Sequence, residues 1–132
     1  IYFLFCGNGK IRTSDQRIFA SFYPFGVICY DSNRKKVNHY TTENSPLTNN
    51  YVMDFIEHQG KIWLATDGGG INLIDLKSNE FTCLTHTTGD PASLPANSVT
   101  QLYKDYNDQL WIGKHLVCAI LVYLNTKRNA IS

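Results

Sequence analysis

A dominant charge of one sign is missing from this sequence. Twelve Lys and Arg stand against eleven Asp and Glu, leaving a net charge of +1. So balanced a surface makes no electrostatic case for a nucleic-acid or anionic-membrane partner. Long apolar runs are missing too. The longest, Leu116–Leu124, is too short to cross a bilayer as a helix, so no membrane insertion by this segment is expected. The chain opens at Ile1 without a basic stretch followed by a long apolar one; no signal peptide is read there, although a processed start reads the same way. Cysteines are few and scattered, at positions 6, 29, 83 and 118, with no CxxC among them. The pairs Cys83-Leu-Thr-His86 and His115-Leu-Val-Cys118 could in principle offer four ligands to zinc. Both lie on apparent strands, where positions i and i+3 point to opposite faces, so buried free thiols are expected instead. Neither a metal nor a cofactor is expected.

Catalytic signatures are also absent. There is no G-x-S-x-G and no H-E-x-x-H. Asp15, Asp31, Asp54, Glu57 and Asp75 raise the idea of paired carboxylates, but nothing in the sequence pairs them. His39, His58, His86 and His115 lack the helical context a phosphoacceptor needs. No catalytic residue is assigned, and the chain reads as a non-enzyme.

What is present is a repeat. At 132 residues, with 43% hydrophobic and 17% charged residues, this is a globular domain or a piece of one. Lys61–His86 can be laid on Arg17–Thr42 at an offset of 44. Trp63 then meets Phe19, Gly70 meets Gly26, and Asp75 meets Asp31. Downstream, at an offset of 48, Trp111 falls where Trp63 stands. A second register lays Leu47–Glu57 on Leu94–Lys104, with Asn50 over Asn97 and Val52 over Val99. The offset grows through short insertions near Asp90 and Asn107, where loops tolerate them.

Each copy is short, β-branched, aromatic and punctuated by turn formers, the pattern of strands rather than helices. The middle copy divides into Tyr51–Glu57, Lys61–Thr66, Gly70–Leu76 and Glu80–Thr85, turned by His58-Gln59-Gly60 and Lys77-Ser78-Asn79. Four short antiparallel strands in a period of this length make a β-propeller blade. The expected fold is all-β: a partial propeller of about two and a half blades, in four-stranded antiparallel sheets. Residues 1–132 form one segment, with repeats near 17–50, 51–97 and 98–132. "IYFLFC" at the start is apolar enough to be an edge strand.

The run of Asn49 and Asn50, Val52, then "WLATDGGGINLID", then Phe81 resembles the two-component regulator propeller repeat. The likeness is close over Asn49–Thr85, fair over Arg17–Thr42 and Asn97–Gly113, and poor before Gln16 and after Lys114. Leu116-Val117-Cys118 replace the glycines in the third copy, although "LNTKRN" keeps the turn phase of "LKSNEF". The resemblance implies a segment of the periplasmic sensor region of a Bacteroides-type hybrid histidine kinase, anchored in the inner membrane and sensing glycans or other nutrients. Kinase activity would then belong to a parent chain.

Gly68-Gly69-Gly70 could suggest a phosphate loop. They join strand to strand, with no Lys-Ser/Thr and no helix after them, so a mechanical role at a tight strand crossing is expected. Phe19, Trp63 and Trp111 are expected to wedge between neighbouring sheets. Asp31 and Asp75 are expected to cap turns. The link between second and third strand should emerge on the same face as the long connections Thr42–Asn50 and Thr87–Asn97. On that face a ligand is expected, with Tyr23, Asp67, Lys114 and His115 as contacts and Asn72 nearby. The ligand would be an oligosaccharide or another small polar molecule. The other partners would be the remaining blades of a parent chain, or a second copy, since a propeller closes with roughly four to eight blades. A non-catalytic scaffold for protein–protein interaction is the alternative reading.

Overall fold

The computed structural model describes residues 9–114, and the backbone of Val117–Val122, Leu124–Asn125 and Ala130–Ile131. The apolar start "IYFLFC", and with it Cys6, lies outside the described residues, as do His115, Leu116 and residues 126–129; the side chain of Cys118 is not described either. Two complete four-stranded antiparallel sheets follow one another along the chain. The first has β1 (Lys10–Arg12), β2 (Ile18–Ser21), β3 (Val27–Tyr30) and β4 (Lys36–Tyr40), in that spatial order. The second has β5 (Val52–His58), β6 (Lys61–Thr66), β7 (Ile71–Asp75) and β8 (Phe81–Leu84), again in order. These last four bounds lie within one residue of those read from the sequence. A third sheet is built from β9 (Gln101–Lys104), β10 (Leu110–Lys114) and β11 (Val117–Val122), and β12 (Leu124–Asn125) pairs with β13 (Ala130–Ile131). No helix long and apolar enough to cross a membrane occurs among the described residues.

The repeat register is visible in the pairing. Trp63 stands opposite Leu73 on β7, and Trp111 opposite Leu121 on β11, both 48 positions later. Lys114 pairs with Val117, whereas in the middle sheet Ala65 pairs with Ile71. Only two residues separate the first pair in sequence, against five in the second.

Turn chemistry explains the changing offset. β5 and β6 are joined by Gln59 and Gly60, both at positive φ (51° and 73°), the conformation of a two-residue hairpin. In the next sheet the same link runs from Asp105 to Gln109, with Asp108 at φ 61°. Thr13–Arg17 and Asp31–Lys35 close in the same way, with Gln16 and Arg34 left-handed. As expected, Asp31 Oδ1 accepts the Asn33 and Lys35 amides, and Asp75 Oδ1 accepts those of Lys77 and Ser78. These last two amides, with the Lys61 ammonium, hold the Asp75 carboxyl down at about 2.

Packing explains why the middle sheet is apolar on both sides. Ile62, Leu64 and Ile74 point one way, into a cluster with Phe19, Val27, Cys29 and Leu47. Trp63, Ala65, Ile71 and Leu73 point the other way, onto Leu94, Val99, Leu102, Leu110 and Ile112. The middle sheet thus hides one face on its predecessor and one on its successor, as repeat blades must. Phe19 and Trp63 are the wedges, fully buried and 2% exposed. Trp111, on the face of β10 turned away from this seam, is half-buried, with its indole N–H on Asp105 Oδ2 at 2.8 Å.

A β-bulge sets the inner strand's orientation. Val52 pairs with Thr66 but Asp54 with Ala65, so Met53 is the extra residue. Val52 and Phe55 can therefore share the face toward the first sheet, while Asp54, Ile56 and His58 face the third. Buried Asp54 accepts the Phe55 amide with one oxygen and, across the seam, the Leu102 amide at 2.8 Å with the other. Asp54→Ala would leave the Leu102 N–H buried and unpaired. We expect a loss of about 2 kcal/mol in the intact protein, with Asp54→Asn losing less because it keeps an acceptor. Denaturant titration of the three proteins checks this.

Two expectations about single residues need correction or refinement. Cys29 is a buried thiol, its pKa pushed up by desolvation. Cys83, expected to be buried, is instead exposed on β8, because this strand is the outermost of its sheet and its side chains find less cover. His86, three residues on, spends its Nδ1 on the Leu94 carbonyl at 2.7 Å.

Candidate functional site

The three glycines answer a mechanical need. Gly70 has φ 76°, and a Cβ there would collide with the Leu84 carbonyl oxygen. Gly26 repeats this 44 residues earlier, at φ 82° against the Tyr40 carbonyl. In both copies the crossing closes with the same bond, Phe22 N–H to the Gly26 carbonyl and Thr66 N–H to that of Gly70. Gly68 is at φ 113°, and a Cβ on Gly69 would meet Thr48 Oγ1 at 2.5 Å.

This crossing is gripped by asparagines from the long connections. The Asn97 carbonyl accepts the Gly68 and Gly70 amides at 3.1 and 2.8 Å, and its side-chain oxygen accepts the His86 amide. Asn50, its repeat partner, accepts the Thr42 amide in the same manner. Asn49 Nδ2 donates to the Asp67 carbonyl. Second-to-third-strand links and long connections therefore do meet on one face, as strand alternation requires.

Tyr23 and Asp67 come together there through a residue that sequence reasoning left out. The Tyr51 ring lies 4.7 Å from that of Tyr23, centroid to centroid, tilted by 57°. The Tyr51 carbonyl accepts the Asp67 amide at 3.0 Å. On the other side, Ser98 Oγ donates to Asp67 Oδ1 at 2.5 Å, and the two residues form an isolated β-bridge. Tyr51 and Ser98 are themselves repeat equivalents, each directly after its blade's Asn50 or Asn97. The repeat register was the signal that could have found them. Both sit just before an innermost strand, so the cluster lies where three blades converge. Tyr23 and Tyr51 are 52% and 39% exposed, and Phe25 on the same loop is 64% exposed. The arrangement presents a carboxylate with one hydroxyl partner beside two tilted phenol rings.

The other expected contacts fare differently. Asn72 is fully buried on β7; its Nδ2 donates to Thr48 Oγ1 at 2.7 Å and its Oδ1 accepts the Thr48 amide. It pins the long connection from below, out of a ligand's reach. An amide at that spot serves the buried polar groups of the loop. Lys114 ends β10, half-buried, and no hydrogen bond joins it to Asp67. His115 lies outside the described residues.

The carboxylates considered for paired chemistry do not converge. Asp15 pairs with Arg17 at 2.8 Å, Glu57 accepts the Ser14 amide and hydroxyl, and Asp54 spans the seam. Burial works against the Asp15 charge, but its bonds from Arg17 and Thr13 hold the carboxyl below its ordinary range. An open groove of about 700 Å³ runs between the outer edges of the first two blades, lined by β4 and the β7–β8 turn. Its His39 and Asn44 side chains are already bonded to the Phe25 and His39 carbonyls.

The family model described as two component regulator propeller matches residues 93–113, from the end of the second long connection into β10, rather than the glycine-rich stretch of the middle copy. No match was found among curated proteins. Solved structures resemble the chain closely in shape. The extracellular domain of the "putative hybrid two component system BT3049" from B. thetaiotaomicron superposes with a TM-score of 0.68 at 22% identity, over 95% of this chain and 16% of that one. The extracellular domain of the "putative hybrid two component system BT4673" from the same organism gives 0.71 at 18% identity, over 100% and 20%. The chain thus spans a fifth or less of the length of these relatives. Together with the sheets described above, these likenesses establish the fold: successive four-stranded blades of a β-propeller.

Proposed function

We propose that this chain is a ligand-sensing propeller segment of a hybrid two-component sensor histidine kinase. It works outside the cytoplasm, in the periplasm, as part of a receptor anchored in the inner membrane. The ligand is an oligosaccharide or another small polar nutrient signal. Kinase chemistry belongs to the parent chain, and this segment contributes recognition. The remaining blades of that parent, or a second copy, cover the Trp111 face.

The observation that carries this reading is the convergence of Tyr23, Tyr51, Asp67 and Ser98 on the long-loop face. Aromatic rings stack on the apolar faces of a sugar ring, and a carboxylate accepts bonds from its hydroxyls. Binding to the folded protein must raise its melting point, by about 2.7 kcal/mol of added stability at a ligand concentration one hundred times Kd. An oligosaccharide thermal-shift panel on the intact protein should yield at least one stabilising sugar. Tyr51→Ala and Asp67→Asn should each shrink that shift while leaving the ligand-free melting point within a few degrees. No shift with any sugar would remove glycan sensing.

The exposed Tyr23, Phe25 and Tyr51 support a second reading, since aromatic clusters also anchor protein partners. A scaffold would show no stabilising small molecule, yet would lose its protein partner on Tyr51→Ala.

A further inference from the structure

At the opposite end of the second seam stands a histidine that the ligand site does not use. His58 ends β5, is 4% exposed, and faces the third blade. Its Nδ1 is buried without a hydrogen-bond partner. Its ring lies edge-on to Trp63 at 5.9 Å, and its carbonyl accepts the Trp63 indole N–H at 3.2 Å. A buried polar nitrogen left unpaired costs stability, so its position calls for a reason.

The Asp108 carboxylate stands 3.8 Å from Nδ1, on the β9–β10 turn of the neighbouring blade. Lys104 on β9 lies 3.5 Å from the same carboxylate and donates to the Glu57 carbonyl. The other charges on the surrounding elements are already engaged. Glu57 holds Ser14, Lys61 pairs with Asp75 at 3.3 Å, and Asp105 caps its own turn and takes the Trp111 indole. Among the described residues, Asp108 and Lys104 set the field at the imidazole.

We propose that His58, buried without a partner for Nδ1, is an acid-sensitive latch between the second and third blades: taking a proton onto the imidazole loosens this seam. Burial disfavours the charged ring, Asp108 only partly compensates, and Lys104 adds repulsion, so the pKa in the folded protein lies below the imidazole's ordinary 6.5. Such a group binds its proton more readily once the seam has opened. The seam is therefore at full strength above about pH 6.5, and weakens as pH falls toward the lower folded value.

Hydrogen exchange of the intact protein reads this directly. The Leu102 amide, bonded across the same seam to Asp54, is the reporter. From about pH 7.5 to about 5.5, its protection factor, corrected for intrinsic exchange, should fall by about three- to tenfold. His58→Gln should flatten this dependence. Asp108→Asn, in a turn position that Asn tolerates, should steepen it, and Lys104→Gln should make it shallower. A flat wild-type profile would overturn the proposal, as would an unchanged slope in His58→Gln. Should that variant fail to fold, opposite movements in the other two support the latch, and identical slopes refute it.

Discussion

Gly70→Ala should destabilise the intact protein by at least about 3 kcal/mol, enough to unfold the middle blade at moderate temperature. Two costs add. The residue sits at φ 76°, where an L side chain crowds its own backbone. The new methyl would also collide with the Leu84 carbonyl oxygen and approach the Thr85 Cα to 3.3 Å. Both obstacles are backbone at the end of β8, which cannot swing aside as a side chain would. Yielding would also pull Gly70 N–H from the Asn97 carbonyl and release the grip of the next connection. Gly89→Ala is the control. It shares the backbone conformation, at φ 83°, but nothing lies within 4 Å of its would-be Cβ. It should cost only about 1 kcal/mol. Equal effects in the two variants, measured by denaturant unfolding, would mean that the close approach at Gly70 contributes nothing.

Trp63→Ala should cost about 3–5 kcal/mol. The ring is 2% exposed and central to the seam between second and third blades. Removing it leaves a large void beside Leu110 and Ile112 and strips the His58 carbonyl of its indole donor. Trp63→Phe keeps most of the apolar contact and should lose much less. Trp111→Ala, at the half-buried equivalent position, should cost clearly less than Trp63→Ala in the same unfolding assay.

The contrast shows what the linear sequence carried. The blade pattern was legible because four strands, their turns and their wedges recur at fixed offsets. Recurrence separates a strand period from chance apolar runs. The glycine crossing was legible in part for the same reason, since Gly26 recurs at the place of Gly70; the demands on Gly68 and Gly69 have no such counterpart in the first copy. Asp54 was seen only as one carboxylate among several. Its role depends on a bulge at Met53 and on the Leu102 amide, 48 residues distant, neither of which a local pattern encodes. Asn72 reads in sequence as near the ligand because it follows the glycine crossing on the long-loop face, yet it is buried and bonded to Thr48. Tyr51 and Ser98 were not legible because they stand one residue beyond the long connections, which end at Asn50 and Asn97. The partners of the loops between second and third strands come from the residues that open the next inner strand. The same non-local geometry hid the setting of His58, which reads in sequence as an ordinary turn residue.

A double-mutant cycle addresses the arrangement itself, in which the middle sheet buries opposite faces on different neighbours. Trp63→Phe combined with Ile112→Val, in the same seam, should show a coupling of at least about 0.5 kcal/mol. Trp63→Phe combined with Phe19→Leu, across the sheet in the other seam, should be additive within about 0.5 kcal/mol. The reverse pattern, additive within the seam and coupled across the sheet, would contradict the stacked-blade account.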